Sequence, residues 1–96
     1  MSLNILGPAQ RDVVVARDWY NRQQSGLGER SSASAEVAMQ QLLDYPTSWP
    51  VIDGDVHRCP VRSFPFDVLF FVAGNDVFIV AVMDQRRKPG DWKDRL

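Results

Sequence analysis

The side chains able to do chemistry gather from residue 57 onward. His57 is the only histidine in the chain. An imidazole titrates near neutrality by default, so His57 beside Arg58 is a candidate general base or phosphate contact. A single histidine without a partner acid is more often a packed strand residue, and it makes no metal site. Cys59 has no second Cys or His at ligand spacing, so no zinc site is offered. Arg58 is its neighbour, but adjacent strand residues point to opposite faces, so nothing stabilises a thiolate there. No cofactor and no metal are expected. The strongest candidates are cations: Arg58, Arg62, Arg86, Arg87 and Lys88. A guanidinium is a planar fork suited to phosphate or carboxylate. The competing reading is a solvated strand end and a charged tail. Asp84 is a carboxylate at a strand end, a place where acids usually cap or pair.

Composition bounds what these residues can serve. The chain has 96 residues and 10.9 kDa, with 45% hydrophobic and 24% charged residues. That is globular and large enough for one domain, expected over 1–96. Net charge is -1 and the pI is near 5.7, unlike a protein that coats nucleic acid. The charge is uneven, since residues 1–56 carry four Arg against seven Asp/Glu, and residues 57–96 carry seven Arg/Lys against five Asp. A polyanion would therefore meet a local patch. One cysteine gives no internal disulfide, which fits a reducing cytoplasm. No apolar run approaches the roughly 20 residues of a membrane span, and no leader is apparent.

The elements that must position these groups follow from periodicity. Leu3-Asn4-Ile5-Leu6 reads as a first strand, broken by Gly7-Pro8. A helix is predicted over 8–24, with Ala9, Val13, Ala16 and Tyr20 on one stripe and Val14, Val15 and Trp19 widening it. Ser25-Gly26-Leu27-Gly28 is a connector. A second helix is predicted over 29–44 on Ala35, Ala38, Met39, Leu42 and Leu43. Its start, Arg30-Ser31-Ser32-Ala33-Ser34, either frays or packs closely through small side chains. Two prolines, Pro46 and Pro50, end it. Strands are predicted over 56–61, 66–72 and 77–83, with a hairpin turn at Ala73-Gly74-Asn75-Asp76. The order is β-α-α-β-β-β, an α+β fold with a helical hairpin on one face of a small, mostly antiparallel sheet.

This sheet has a physical difficulty. A sheet covered on one face should alternate apolar and polar residues. Val68–Val72 and Val77–Met83 are apolar on both faces instead. Two helices cover one face, leaving only the charged tail with Trp92 and Leu96 for the other. An open apolar face marks a binding surface. Phe70, Phe71, Phe78, Val80 and Trp92 are the residues expected to meet a partner, a second copy of the chain included.

The residues resemble the RelE/ParE superfamily of toxins from bacterial type II toxin–antitoxin systems, and more closely its ParE-type plasmid stabilisation branch. The resemblance rests on Trp19-Tyr20, Gly26-Leu27-Gly28, Pro46, Trp49-Pro50 and His57-Arg58. It continues through Phe64-Pro65-Phe66, Ala81-Val82, Arg86-Arg87-Lys88-Pro89, Trp92 and Arg95, in order across nearly the whole chain.

The resemblance implies a cytoplasmic toxin wrapped by a cognate antitoxin, which would supply the missing cover. ParE-like members inhibit DNA gyrase by binding. RelE-like members are mRNA endonucleases that act in the ribosome, with a base, cationic clamps and an acid in one cleft. The sequence departs from that nuclease pattern. Ser63 stands before Phe64-Pro65-Phe66 where many relatives carry Arg. Met83-Asp84-Gln85 precedes the Arg pair where relatives often have His. No Tyr or His follows residue 57. The ParE-like reading leads, with a ribonuclease using His57 and the arginines, or a folded but non-toxic member, as alternatives.

Overall fold

The computed structural model describes residues 1–86 and 92–96. The chain opens with strand β1 (Ser2–Ile5), then helix α1 (Gly7–Gln23) and helix α2 (Leu27–Leu42). After a 3-10 turn at Pro46–Ser48 come β2 (Val51–Asp53), β3 (Val56–Pro60), β4 (Phe66–Ala73) and β5 (Asp76–Asp84). A 3-10 turn at Lys93–Arg95 closes the chain. The sheet order is β1-β5-β4-β3-β2, with β1 parallel to β5 and every other pair antiparallel. The predicted α+β plan is the observed one, with β2 as an added short edge strand. Val51 and Ile52 were missed because the prolines around them read as a loop.

The helical hairpin is set by small residues. Pro8 starts α1 where its missing N–H costs nothing. Gly26, at φ 87°, takes the left-handed turn that separates the helices. Gly28, Ser31 and Ala35 are buried on one side of α2. The serine-rich start therefore packs closely and does not fray. The Ser31 hydroxyl donates to the Gly28 carbonyl at 2.7 Å, and the Gly28 N–H donates to Asn21 Oδ1 at 2.8 Å. A Cβ on Gly28 would sit 2.2 Å from the Arg17 carbonyl oxygen and 2.6 Å from Asn21 Cγ. Gly28→Ala must push the helices apart, and a loss of about 1–3 kcal/mol is expected in urea unfolding. Gly26→Ala is the control: it has open space around its Cβ, so any loss there is one of backbone strain alone.

The unbroken apolar runs are explained by two cores and one bulge. On the helix side lie Phe66, Val68 and Phe70 of β4 with Val77, Ile79 and Val82 of β5, packed against Ala38, Met39 and Leu42. On the other side lie Val56, Leu69, Val80, Ala81, Met83 and Trp92. The β4–β5 register pairs Leu69 with Ala81 but Phe70 with Ile79, so Val80 is an extra residue in β5. That bulge shifts the parity of β5: odd positions face the helices before it, and Val82 does so after it. The hairpin between β4 and β5 is a two-residue loop that opens on Gly74 at φ 61°.

This arrangement corrects the expectation of an open apolar face. Trp92, only 5% exposed, lies over the second face and closes most of it. Leu96 is 65% exposed and caps nothing. Among the residues expected to meet a partner, Phe70 is fully buried on the helix side, Val80 is fully buried on the other, and Trp92 belongs to the fold's own core. Phe70 and Phe71 also point to opposite faces, as strand neighbours must. Only Phe71 and Phe78 stay half-buried, stacked across the strands at 5.1 Å.

Candidate functional site

The main concavity is a cleft of about 480 Å3 between α1 and the end of β5. Four consecutive turns of logic build it. The α1 stripe Ala9, Val13, Ala16 and Tyr20 docks on the sheet. That leaves Val15 and Trp19 on the flank, 62% and 45% exposed. Tyr20 meets Phe64 at 5.1 Å and Phe66 at 5.6 Å, both edge to face, so the Phe64-Pro65-Phe66 segment fixes how far α1 stands from β4. Finally β1 stops at Ile5, paired with Ile79, and no described strand flanks residues 80–84 on that side.

Side chains take over the exposed strand edge. The Val82 N–H donates to Asp12 Oδ2 at 3.0 Å. Arg95 Nη1 and Nη2 donate to the same carboxylate at 2.6 and 3.0 Å, and Nη1 also reaches the Val80 carbonyl at 3.2 Å. Asp12 thus ties α1, β5 and the C-terminal turn together. At the mouth of the cleft Arg86 donates to both Asp84 oxygens, at 3.0 and 2.7 Å. This hydrogen bonding holds the Arg86 guanidinium even more firmly protonated than usual. The Tyr20 phenol is pushed up by burial and by the Asp84 charge. Both cleft carboxylates are therefore acceptors bound to arginines, and the phenol keeps its proton.

The structure separates the residues singled out in the sequence. His57 is buried, its Nδ1 lies 2.7 Å from the Trp49 carbonyl, and its ring stacks on Phe70 at 5.2 Å. A carbonyl only accepts, so Nδ1 carries the proton and the ring serves packing and loop closure. As a candidate base it is corrected: it does not line the cleft. Arg58, on the face opposite His57, stands 3.8 Å from Asp67. Arg62 is exposed in the turn after β3. Arg86 alone of the cations lines the cleft. Arg87 and Lys88 lie outside the described residues. Arg11 and Asp12 carried no signal in the sequence, because a charged pair on the outer side of an amphipathic helix is ordinary. No group of His, Cys, Asp or Glu among the described residues is placed to hold a metal ion.

Cys59 is fully buried, and burial with the nearby Asp67 charge pushes its thiol up to about 11. Relative to its ordinary 9.0, the thiolate fraction at pH 8 falls about a hundredfold. Iodoacetamide should label Cys59 at least that much more slowly in the folded chain than in urea. The same shift removes stability with rising pH. Between about pH 9 and 11 the unfolded chain sheds a thiol proton that the folded chain keeps.

No protein-family model and no curated protein matches the chain. Solved structures do. A chain from a structure described as the chromosomal ParDE TA system from P. aeruginosa superposes with a TM-score of 0.80. The match covers 88% of this chain and 95% of that one, at 18% identity. The fold is RelE/ParE-like. In this RelE/ParE-like fold the residues that carried the resemblance are mostly architectural. Gly26-Leu27-Gly28 sets the hairpin, Phe64-Pro65-Phe66 seats Tyr20, and Trp92 closes the second face. No helix among the described residues is long and apolar enough to cross a membrane.

Proposed function

We propose that this chain is the toxin component of a bacterial type II toxin–antitoxin pair, of the ParE type. In this reading it acts by binding a cellular protein, DNA gyrase, and a cognate antitoxin neutralises it in the cytoplasm. The observation that carries the reading is the structural match along nearly the full length of both chains. The site geometry supports binding over hydrolysis. The acids of the cleft are bonded to arginines, and His57 is buried against Phe70. A general base needs reach to its proton and a pKa near the working pH, and none of these groups combines the two.

The test is expression from a tightly repressed promoter. Induction should stop growth, and co-expression of the protein encoded by the adjacent reading frame should restore it. The purified chain should inhibit gyrase supercoiling at micromolar concentration and leave mRNA intact on translating ribosomes. Normal growth on induction would remove the toxin reading. Ribosome-dependent mRNA cleavage would replace the gyrase target with the RelE-like one.

A further inference from the structure

We infer that the cleft between α1 and β5 receives an extended segment of a partner protein, which adds to the sheet beside Val82. The segment carries alternating apolar side chains and at least one carboxylate. That this partner is the antitoxin rests on the reading above.

The argument begins with the sheet. β1 pairs with β5 only as far as Ile79, and the Leu6 N–H makes the last contact, to the Ile79 carbonyl at 3.1 Å. Beyond it the ladder alternation turns the N–H and C=O of Val82 away from β4, because the flanking pairs Asp67/Met83 and Leu69/Ala81 are the ones that face each other. The Val82 N–H is not left bare. Asp12 supplies a carboxylate oxygen at 3.0 Å, and Arg95 supplies a guanidinium to the Val80 carbonyl. A carboxylate on one strand N–H and a guanidinium on the next outward carbonyl mimic the acceptor and donor of an absent neighbouring strand. Such polar side chains are also how proteins blunt an edge against uncontrolled pairing.

The walls then select what can lie there. Val15 and Trp19 present exposed apolar surface on the α1 side. A strand places every second side chain on one face, so an added segment would seat alternate apolar residues against them. Charge selects further. Asp12 is bonded to Arg95 and Asp84 to Arg86. No carboxylate lies against Arg11 among the described residues, so its guanidinium is the charge the cleft has left to pair. A helix would fill the apolar wall but leave the Val82 backbone to Asp12 alone. Backbone pairing is the feature that commits the site to an extended occupant.

On docking, a partner carbonyl replaces Asp12 at the Val82 N–H, while Asp12 stays bonded to Arg95. The experiment pans phage-displayed random peptides of about 12 residues on the full chain and studies the enriched sequences as synthetic peptides. The expected peptides alternate apolar residues and contain an acid. Amide NMR should show cross-strand contacts to Val82 and its exchange slowed at least about tenfold. Arg11→Glu, at an exposed position, should weaken binding at least about tenfold, and Trp19→Ala likewise. The proposal is overturned by no enrichment or by peptides that bind as helices. Contacts confined to β2 or to the hollow under Trp92, insensitivity to Arg11→Glu, or a homodimer through this edge in sedimentation overturn it equally. Growth arrest with peptides selected elsewhere would sink the docking site and leave the toxin reading standing. Docked peptides without growth arrest would do the reverse.

Discussion

Phe70→Ala should cost about 3–5 kcal/mol of folding stability, the range for emptying a fully enclosed phenylalanine site. Its ring has no exposed area. It faces the helix-side core between Val68 and Val72, with the His57 ring parallel to it at 5.2 Å. Truncation would open a cavity bounded by the sheet and α2 and would also leave the His57 ring without its stacking partner. A domain of this size has roughly 5–15 kcal/mol in all, so the variant should sit close to its unfolding midpoint at room temperature. Phe71→Ala is the contrast. Its ring is half-buried against Phe78 on the other face, and about 1–2 kcal/mol is expected there. Urea unfolding followed by circular dichroism measures both. Equal, small losses at the two positions would mean that Phe70 is not a core residue and that the two-core description is wrong.

The two phenylalanines show what the sequence could and could not tell. The run from Val68 to Val72 correctly announced a strand that is dry on both faces. It could not announce what keeps each face dry. A helix stripe is readable because its period is local, and the stripes of α1 and α2 were found almost residue for residue. The cover of the second face is a single tryptophan beyond a polar stretch, and no local pattern distinguishes a Trp folded back on a sheet from one awaiting a partner. The bulge at Val80 was hidden for a related reason. A one-residue shift of parity inside a wholly apolar strand changes no residue type, so only the register reveals it.

The candidate site was less legible than the fold. The sequence drew attention to the densest charges, Arg58, Arg62 and Arg86 with its neighbours. The structure spends two of these on nearby acids: Arg58 on Asp67 and Arg86 on Asp84. Asp12 and Arg95 are far apart in sequence and unremarkable in type, yet they join helix, strand and C-terminal turn. A long-range ion pair leaves no mark in the sequence of either segment. The free edge of β5 is invisible for a stronger reason: it exists only because β1 is four residues long and β5 is nine.

The C-terminal turn carries the remaining large effect. Trp92→Ala should cost about 3–5 kcal/mol, as much as the loss of Phe70, although it lies outside every strand. The reason is area. Val56, Leu69, Val80, Ala81 and Met83 are all buried with Trp92 over them, and no helix reaches that face. Without the indole these side chains become partly wet. The C-terminal turn then keeps only its polar ties, Arg95 to Asp12 and Lys93 to Asp53. The Lys93 pair is solvent-exposed and contributes at most about 1 kcal/mol, too little to hold the turn in place of the ring. Beyond the lower urea midpoint, the folded variant should bind the dye ANS, because a contiguous apolar face opens. Leu96→Ala tests the specificity of the effect. Its side chain is largely in solvent, so a change within about 0.5 kcal/mol and no dye binding are expected. If Trp92→Ala behaved like Leu96→Ala, the second face would need another cover, and the apolar excess of β4 and β5 would again call for a partner lying across it.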